Sequence, residues 1–500
     1  MKSPHSNETE ITKQIESSTA LQLDSPSPPA IHTLPSELLL EIFVAGSSQP
    51  PSEADISTVP FPILVSMVCK FWRTVAINSP CVWSTIFLPG TTKFDVLTFF
   101  ERSKPAPFDV TLDSIVACDL GDKNFFDRIS RTILDNICRL RSLKINVWSA
   151  EDLRSLVASF RDAEAPMLNN LEIFLYTQEE SHDSRTGLPI MTHAVALKSL
   201  KVKGVCIYCS PPLINLTFLD IDQFQPSESQ FRDLFDVCPS LSSLILRRFA
   251  AREDAVVPNQ ASLPIHASSL RSFAVSFAYG HSSPCTCPLH LLVLENIECI
   301  EISLLSVDLS GHFSSSLRSW NQNSRVRKLR ISGISIEAEE LLFIQSLPNT
   351  IDLELIGIYT NSDSYLPSVI SLPNLHSITL EVMNKGAEVT GIADLSWFYR
   401  VVDQRLVKPT SSLTACFSKL DEGHDRIQKI VEILGGHLTV RYSACKNTLI
   451  ESNAWEVLGE DEGDDWDYYD DESDFDASHE LDVENEYEYD EEGDEDEDFW

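Results

Sequence analysis

The chain has 500 residues, 43% of them hydrophobic, which allows two or three domains and a large buried core. Its net charge of −37 disfavours nucleic acid as the main partner, because that binding draws most of its affinity from lysine and arginine. Residues 456–500 hold 25 of the 75 acidic residues and no lysine or arginine, which leaves a charge of only −12 elsewhere. We therefore predict a mildly acidic globular body with an acidic extension.

The amino terminus has no visible secretory signal, since Lys2 is followed by polar residues and proline. No segment reaches the roughly 18 uninterrupted apolar residues of a membrane span. Four of the 12 cysteines lie inside apolar segments, and we interpret them as buried free thiols of a reducing compartment. These are Cys69, Cys138, Cys238 and Cys299. We expect a soluble protein of the cytoplasm or nucleus, with no membrane partner.

Residues 1–30 are rich in Ser, Thr, Pro and Glu, which predicts disorder. The first predicted ordered element is a helix that follows this segment. Apolar residues recur on one helical face, and a proline stands at a suitable first helical position. The apolar residues are Leu34, Leu38, Ile42 and Phe43, and the proline is Pro35. The Ser- and Pro-rich residues 46–62 then predict a loop.

A second amphipathic helix is predicted from an apolar pattern at helical spacing. Its members are Leu64, Val68, Phe71, Trp72 and Val75. The helix is expected to end near Pro80, because the residue before a proline disfavours helical geometry. Trp83 and Ile86 follow before Pro89-Gly90 interrupts the chain.

Four motifs stand in a fixed order over residues 31–88. They are Leu34-Pro35-Ser36-Glu37-Leu38, Ile42-Phe43, Val68-Cys69-Lys70-Phe71-Trp72-Arg73 and Val82-Trp83. This ordered set resembles an F-box. The long loop over 46–62 departs from the family pattern and leaves the loop's own adaptor contacts open. In having such a loop the chain resembles F-box proteins of mushroom-forming fungi.

The resemblance implies that the module docks on a Skp-type adaptor, and through it on a cullin, as the substrate-selecting subunit of a ubiquitin ligase. A module this small cannot bury all its large apolar side chains, so part of that surface is expected to face a partner. The residues expected at the adaptor are Leu34, Pro35, Leu38, Ile42, Phe43, Leu64, Val68 and Trp72. For Trp83, the module's own core or its junction to the next domain is an equally good interpretation.

From about Leu140, a short phrase recurs in which leucine alternates with polar residues, as in a half-buried strand. The phrases centre on Leu143, Leu171, Leu200, Leu244, Phe273, Leu329, Leu353 and Ile378, with weaker ones at Leu216–Phe218 and Ile300–Ile302. Spacings of 24 to 29 residues are typical of a leucine-rich-repeat solenoid. Helices are predicted between the phrases at 150–160, 229–238 and 337–347. The usual Asn or Cys after the strand is missing, and an α/β domain with evenly spaced strands is the alternative.

We therefore predict an α/β protein with a short helical F-box followed by an irregular leucine-rich-repeat solenoid. The predicted divisions are a disordered segment (1–30), the F-box (31–88), a linker or solenoid cap (89–139), the solenoid (140–395), a carboxy-terminal cap (396–454) and a disordered acidic tail (455–500). In the cap, strands are predicted at 413–417 and 438–442, with a helix at 427–434.

The strongest metal-ligand cluster in the sequence is His281, Cys285, Cys287 and His290. Its spacing fits no zinc pattern that we can name, and a loop between repeats is the better interpretation. The Cys206–Cys209 pair lacks a second pair at suitable spacing. No phosphate-binding loop or catalytic motif is present. We expect no metal, no cofactor and no enzymatic activity, because a ligase receptor acts by holding a protein substrate close to another subunit. The substrate and its binding residues are left unassigned.

The polar positions of the strand phrases are often basic, and we predict that they line the concave face of the solenoid, with a solvated surface as the alternative. These residues are Lys144, Lys201, Lys203, Arg247, Lys328 and Arg330. The tail interleaves aromatic and acidic residues, which suits either a solubilising extension or a polyanionic arm. The alternative function is therefore a non-catalytic scaffold that binds basic proteins through its solenoid and tail.

Overall fold

Twelve parallel strands in one sheet dominate the part of the chain that the computed structural model describes. The described residues are 34–48, 59–89, 96–113, 123–176, 188–189, 193–205, 207–208, 213–223, 226–249, 263–277, 288–304, 325–333, 343–358, 372, 374–375, 377–382, 413–416 and 438–441. The predicted disordered segment 1–30, the acidic tail and the predicted helix at 427–434 lie outside these residues, as does most of the one predicted at 337–347.

The strands of this sheet follow one another in chain order, so each repeat pairs with the next. They are β1 (Thr85–Pro89), β2 (Phe108–Asp113), β3 (Leu140–Val147), β4 (Asn170–Leu175), β5 (Ser199–Lys203), β6 (Phe218–Asp222), β7 (Ser243–Phe249), β8 (Ser272–Phe277), β9 (Cys299–Leu304), β10 (Lys328–Ser332), β11 (Asp352–Ile358) and β12 (Ser377–Val382). Sequential parallel pairing of strands whose aligned apolar residues are mostly 24 to 29 residues apart defines a leucine-rich-repeat-type solenoid.

The register of the sheet aligns the predicted strand phrases residue by residue. Leu143 lies opposite Leu171, which lies opposite Leu200, and the same column continues to Leu353. These side chains are at most 1% exposed and belong to one continuous hydrophobic core. The weaker phrase at Ile300–Ile302 lies within β9, whereas the strand near Leu216–Phe218 begins only at Phe218, two residues later than predicted.

The sheet begins earlier than the first predicted repeat, because β1 and β2 precede Leu140, β1 pairs in parallel with β2, and β2 pairs in parallel with β3. Short parallel ladders also link Leu188–Pro189 to Ile207–Tyr208 and Ile265–His266 to Leu292–Val293. In the predicted cap, Leu413–Cys416 pairs in parallel with Leu438–Arg441, which confirms a strand at each place.

Seven described α-helices accompany the sheet. They are α1 (Ser36–Ser47), α2 (Phe61–Val68), α3 (Lys70–Ile77), α4 (Val96–Arg102), α5 (Lys123–Asp135), α6 (Ala150–Phe160) and α7 (Glu228–Val237), with 3₁₀ turns at Pro80–Trp83, Ile137–Arg139 and Pro288–Leu291. The predicted helices at 150–160 and 229–238 are confirmed as α6 and α7. None of the helices in the described residues has the length and apolarity needed to cross a bilayer.

The helical module differs from the prediction in two places. Pro35 is the N-cap of α1 rather than its first residue, since its ψ of 147° is extended. The single helix predicted from Leu64 is two helices, because Cys69 is fully extended between α2 and α3. The Cys69 sulfur accepts a hydrogen bond from the backbone N–H of Trp72, which caps the start of α3.

Trp83 joins the helical module to the solenoid. Its side chain is completely buried, and its Nε1 donates a hydrogen bond of 2.8 Å to the carbonyl of Ala76 in α3. Its ring packs edge-on against Phe99 of α4 at 5.3 Å, while the Arg102 guanidinium lies over its face. Of the two interpretations left open for Trp83, the structure therefore supports a place in the core and junction.

Left-handed residues recur directly after the strands, where the chain turns away from the sheet. Gly204 follows β5 with a φ of +67°, Gly333 follows β10 with +70°, and Gln223 follows β6 with 60°. A Cβ on Gly204 would stand 2.7 Å from the carbonyl oxygen of Leu175. Glycine at 204 is therefore required by both the backbone angle and the available space.

We predict that Gly204→Ala lowers the free energy of unfolding by about 1–3 kcal/mol, because it adds a steric clash to a left-handed backbone. Urea denaturation monitored by circular dichroism measures the change. Gln223→Gly, at the equivalent turn, is the matched control. It should change stability by less than about 1 kcal/mol, because relief of strain offsets the greater freedom of the unfolded chain. Equal stability of Gly204→Ala and the native protein would contradict the prediction.

Candidate functional site

The helical module presents an apolar surface that its own fold leaves uncovered. Leu38 and Ile42 of α1 are 52% and 49% exposed, and Leu64 and Val68 of α2 are 46% and 58% exposed. In each helix the two residues are four apart, so they lie on one face. We call these four residues the apolar docking surface; all four were among the predicted adaptor residues.

The opposite face of α1 explains why these residues are left outside. Leu39 and Phe43 are completely buried, and Phe43 packs against Trp72 at 5.1 Å. Gly46 approaches the ring of Phe61 so closely that a Cβ would collide with it, which sets the packing of α1 on α2. The helix therefore buries one apolar face in the core of the module and exposes its other apolar residues to solvent.

Phe43 has to be corrected as an adaptor residue, because a side chain with no exposed area cannot contact a partner without unfolding. Leu34 and Trp72 are half-buried against the same core, and Pro35 is exposed. The Trp72 Nε1 is buried without an acceptor among the described residues. Binding of the adaptor by the exposed members stays a prediction.

Three exposed apolar residues of the module were not on the predicted surface. Met67 of α2 is 67% exposed, and Phe71 and Ile77 of α3 are 43% and 39% exposed. Phe71 belonged to the predicted apolar helical pattern but not to the residues predicted at the adaptor. The break at Cys69 rotates α3 relative to α2, and that break is the signal that a single-helix interpretation misses.

The second candidate surface is the polar face of the sheet, where charged residues stand opposite one another on neighbouring strands. In register, Lys144 is followed by Glu172, Lys201 and Asp220, and farther along Glu301 is followed by Arg330 and Glu354. We call this line of residues the charged row. Cross-strand pairs of opposite charge stabilise a sheet and oppose a shift of register.

A β-bulge at Arg247 and Arg248 builds a buried part of the polar face. These two residues together oppose the single residue Ser276, and Arg248 adopts a φ of 42°. The Arg247 guanidinium donates two hydrogen bonds to Asp220 at 2.8 and 2.9 Å. Arg248 binds Asp222 in the same two-pronged way at 2.8 and 2.6 Å. Consecutive arginines thus reach aspartates that stand two apart on one strand.

Burial raises the pKa of the Asp220 carboxyl, while its hydrogen bonds to Arg247 oppose that shift. Asp220 is completely buried and Arg247 is almost so. A buried ion pair adds little net stability, because the free energy needed to remove both charges from water is nearly as large as that gained from their attraction. The pair is therefore best understood as a device that fixes the register of β6 against β7.

The predicted basic concave face is corrected by these pairings. Lys201 binds Glu172 at 3.1 Å, Lys328 binds Glu354 at 3.0 Å, and Arg330 binds the same Glu354 at 2.7 Å. With Arg247 on Asp220, four of the six predicted basic residues face a carboxylate on an adjacent strand. The sheet places each acid one repeat away from its base, so the face is a ladder of ion pairs.

The cysteine predictions have a mixed outcome. Cys69, Cys138, Cys238 and Cys299 are all free thiols. Cys238 is buried, Cys69 and Cys299 are half-buried, and Cys138 is exposed in a 3₁₀ turn. Of the zinc candidates, His281, Cys285, Cys287, Cys206 and Cys209 lie outside the described residues.

No protein-family model matches the chain, and no curated protein matches it. Among solved structures, it is similar to an internalin (inlF) from Listeria monocytogenes, with 12% identity and a TM-score of 0.32 over 68% of this chain and 90% of that one. It is also similar to the functional domain of InlJ from Listeria monocytogenes, with 13% identity and a TM-score of 0.20 over 61% of this chain and 76% of that one. The order and register of the chain's own strands define the solenoid, since similarities this distant do not.

We predict that Arg247→Met lowers the free energy of unfolding at neutral pH by about 3–5 kcal/mol, because it leaves a buried charge unpaired. The double variant Asp220→Leu with Arg247→Met should recover most of this loss. Arg141→Met is the matched control, since Arg141 binds Asp109 with the same two-pronged geometry but is exposed, and its loss should cost less than about 1 kcal/mol.

The Arg247→Met loss should depend on pH in a defined direction. A carboxyl whose pKa is raised by folding contributes to the stability of the folded state below its unfolded pKa. This contribution is lost as the pH rises through the folded pKa. In the Arg247→Met variant nothing from Arg247 opposes the effect of burial, so the pKa of Asp220 is raised further. Denaturation series from acidic to neutral pH should therefore show a smaller loss in acid. A loss that stays constant with pH would contradict the assignment.

Proposed function

We propose that the chain is a substrate receptor of a cullin-based ubiquitin ligase, in which the helical module docks on a Skp-type adaptor and the solenoid binds a protein substrate. The observation that carries the proposal is the apolar docking surface. Its four residues, Leu38, Ile42, Leu64 and Val68, lie outside the core of helices whose motifs resemble an F-box. Exposed apolar residues gathered on one small module indicate a protein-binding site.

The connection between the two parts supports this division of labour. Trp83 bonds to α3 and packs on α4, so the helical module and the first strands share one core. A solenoid attached in this way holds a bound substrate at a set distance from the docking helices. Such a receptor needs no catalytic group of its own, because transfer depends on proximity to another subunit. Ligases of this kind work in the cytoplasm and nucleus, which is where the proposal locates the chain.

The test is the combined variant Leu38→Ala with Ile42→Ala. It should lower the affinity for a purified Skp-type adaptor by about thirtyfold to several hundredfold, since each of the two side chains removed from such an interface is worth about 1–2 kcal/mol. Isothermal titration calorimetry with the full chain provides the measurement, and thermal unfolding should be unchanged.

The matched control is Ile214→Ala with Leu263→Ala, which removes the same side chains from residues 55% and 71% exposed on the solenoid. This control should bind the adaptor like the native chain. Native affinity in the Leu38→Ala with Ile42→Ala variant, or no adaptor binding by the native chain, would refute the proposed docking.

A second candidate function is a scaffold for basic proteins, and it is favoured by the 25 acidic residues of 456–500. Deleting these residues should then abolish binding of a basic partner such as a histone-like polypeptide. In the intact chain that affinity should fall steeply between low and physiological salt, because salt screens exposed charges. Pull-down across a salt series measures it, and salt-insensitive binding would exclude the tail as the site.

A further inference from the structure

The helical module has few charged side chains, and they are sorted by helix. Its described residues, 34–48 and 59–83, include four: Glu37 and Glu41 in α1, and Lys70 and Arg73 in α3. Helix α2 has none. We call the two acids the acidic pair and the two bases the basic pair. Their charges cancel, so the described part of the module is neutral in a chain of net charge −37.

The acidic pair adjoins the docking surface on α1. Glu37 and Glu41 are exposed, and each directly precedes an exposed member of that surface, Leu38 or Ile42. Because residues four apart share one face of a helix, the acids form a stripe beside the apolar stripe. Glu37 suits the first turn of the helix, but a second acid four residues later repels it. The stability of α1 therefore does not explain Glu41.

The basic pair follows the docking surface on α3. Lys70 is the first residue of this helix, two residues after the exposed Val68, and Arg73 is three residues farther on the same face. Both bases are exposed, while Trp72 and Ala76 turn toward the core. Cations at the amino end of a helix oppose its dipole, so the stability of α3 does not explain the basic pair.

No described residue neutralises either pair. Within the described part of the chain, no ion pair includes any of the four side chains. The Ser36 hydroxyl donates to Glu37 at 3.3 Å, which leaves the charge of the carboxylate in place. The polar face of the solenoid is different, because four of its bases are bound by carboxylates of neighbouring strands. The charges of the module are therefore available to a partner.

We infer that the docking surface fits a protein groove that is apolar at its centre and oppositely charged at its two sides. Basic groups on one side would receive the acidic pair, and acidic groups on the other would receive the basic pair. The apolar contacts would supply most of the affinity. The charges would set the orientation and the rate of docking, because exposed charges at the margin of an interface act mainly on these. A nucleic acid or an anionic membrane fits poorly, because either would repel the acidic pair.

This inference rests on the proposed function, because it describes the adaptor surface on which the helical module would dock. The two can fail in distinguishable ways. If the native chain binds no adaptor, the proposed function is refuted and the inference with it. If the native chain binds the adaptor but the charged pairs do not affect binding, only the inference is refuted.

The test measures binding of the full chain to a purified Skp-type adaptor by surface plasmon resonance at several salt concentrations. Lys70→Glu with Arg73→Glu reverses the basic pair. Glu37→Lys with Glu41→Lys reverses the acidic pair. Each should lower the affinity about tenfold at low salt, mainly through slower association. The loss relative to the native chain should shrink as salt is raised, because salt screens exposed charges.

A variant with all four changes separates the arrangement of the charges from their sum. Its net charge equals that of the native chain, but each changed side chain meets a like charge on the partner. It should therefore bind at least as weakly as either two-residue variant. Lys70→Glu also suits the amino end of α3, so a loss of binding would not come from a weakened helix there.

Matched controls make the same changes of charge at exposed positions outside the module. They are Lys104→Glu with Lys198→Glu for the basic pair, and Asp162→Lys with Glu164→Lys for the acidic pair. Both should bind the adaptor like the native chain. Thermal unfolding checks that each variant is folded.

Three results would overturn the inference. The first is native affinity in the variant with all four changes, because the docking would then depend on apolar contact alone. The second is an equal loss in the charge variants and in their matched controls, which would assign the effect to net charge. The third is binding of anionic lipid vesicles that is abolished by Lys70→Glu with Arg73→Glu and strengthened by Glu37→Lys with Glu41→Lys, which would assign the surface to a membrane.

Discussion

The in-register stacking of apolar side chains across twelve parallel strands is the constraint on which the rest of the structure depends. One repeat contributes two or three buried residues, such as Leu200 and Val202, and cannot exclude water from them alone. Stacking joins these small contributions into one core from α1 to β11. Each strand must therefore keep its register with both neighbours, since a shift of one residue would turn its apolar side outward.

The polar face of the sheet follows from the same register. Once Leu219 faces Leu244, Asp220 and Asp222 are placed beside β7, and the bulge at Arg247 and Arg248 supplies one arginine to each. Such pairs contribute little net stability, but they penalise wrong alignments because a misplaced strand would bury unpaired charge. The apolar interior provides most of the stability of the solenoid, and the charged row favours the correct register of its strands.

Trp83 connects the helical module to the solenoid, and the core that they share determines which apolar residues of α1 face inward. Leu39 and Phe43 turn inward toward the shared core, so Leu38 and Ile42 must turn outward. The exposed side chains of Leu38 and Ile42 and the strands of the solenoid are thereby carried by one continuous core.

The sequence by itself determined the repeats, because each strand phrase carries its own apolar alternation and spacing, and it determined helices α6 and α7 through local periodicity. It also selected Leu38, Ile42, Leu64 and Val68 for the module's apolar surface. The tertiary structure alone decided which basic residues are neutralised, since Arg247 and Asp220 lie 27 residues apart and meet only in register. It alone decided that Phe43 is buried beside the exposed Ile42, and that Trp148, Phe174 and Tyr176 gather at the ends of two neighbouring strands. Local patterns report which residues are apolar, whereas packing decides which of them remain in solvent.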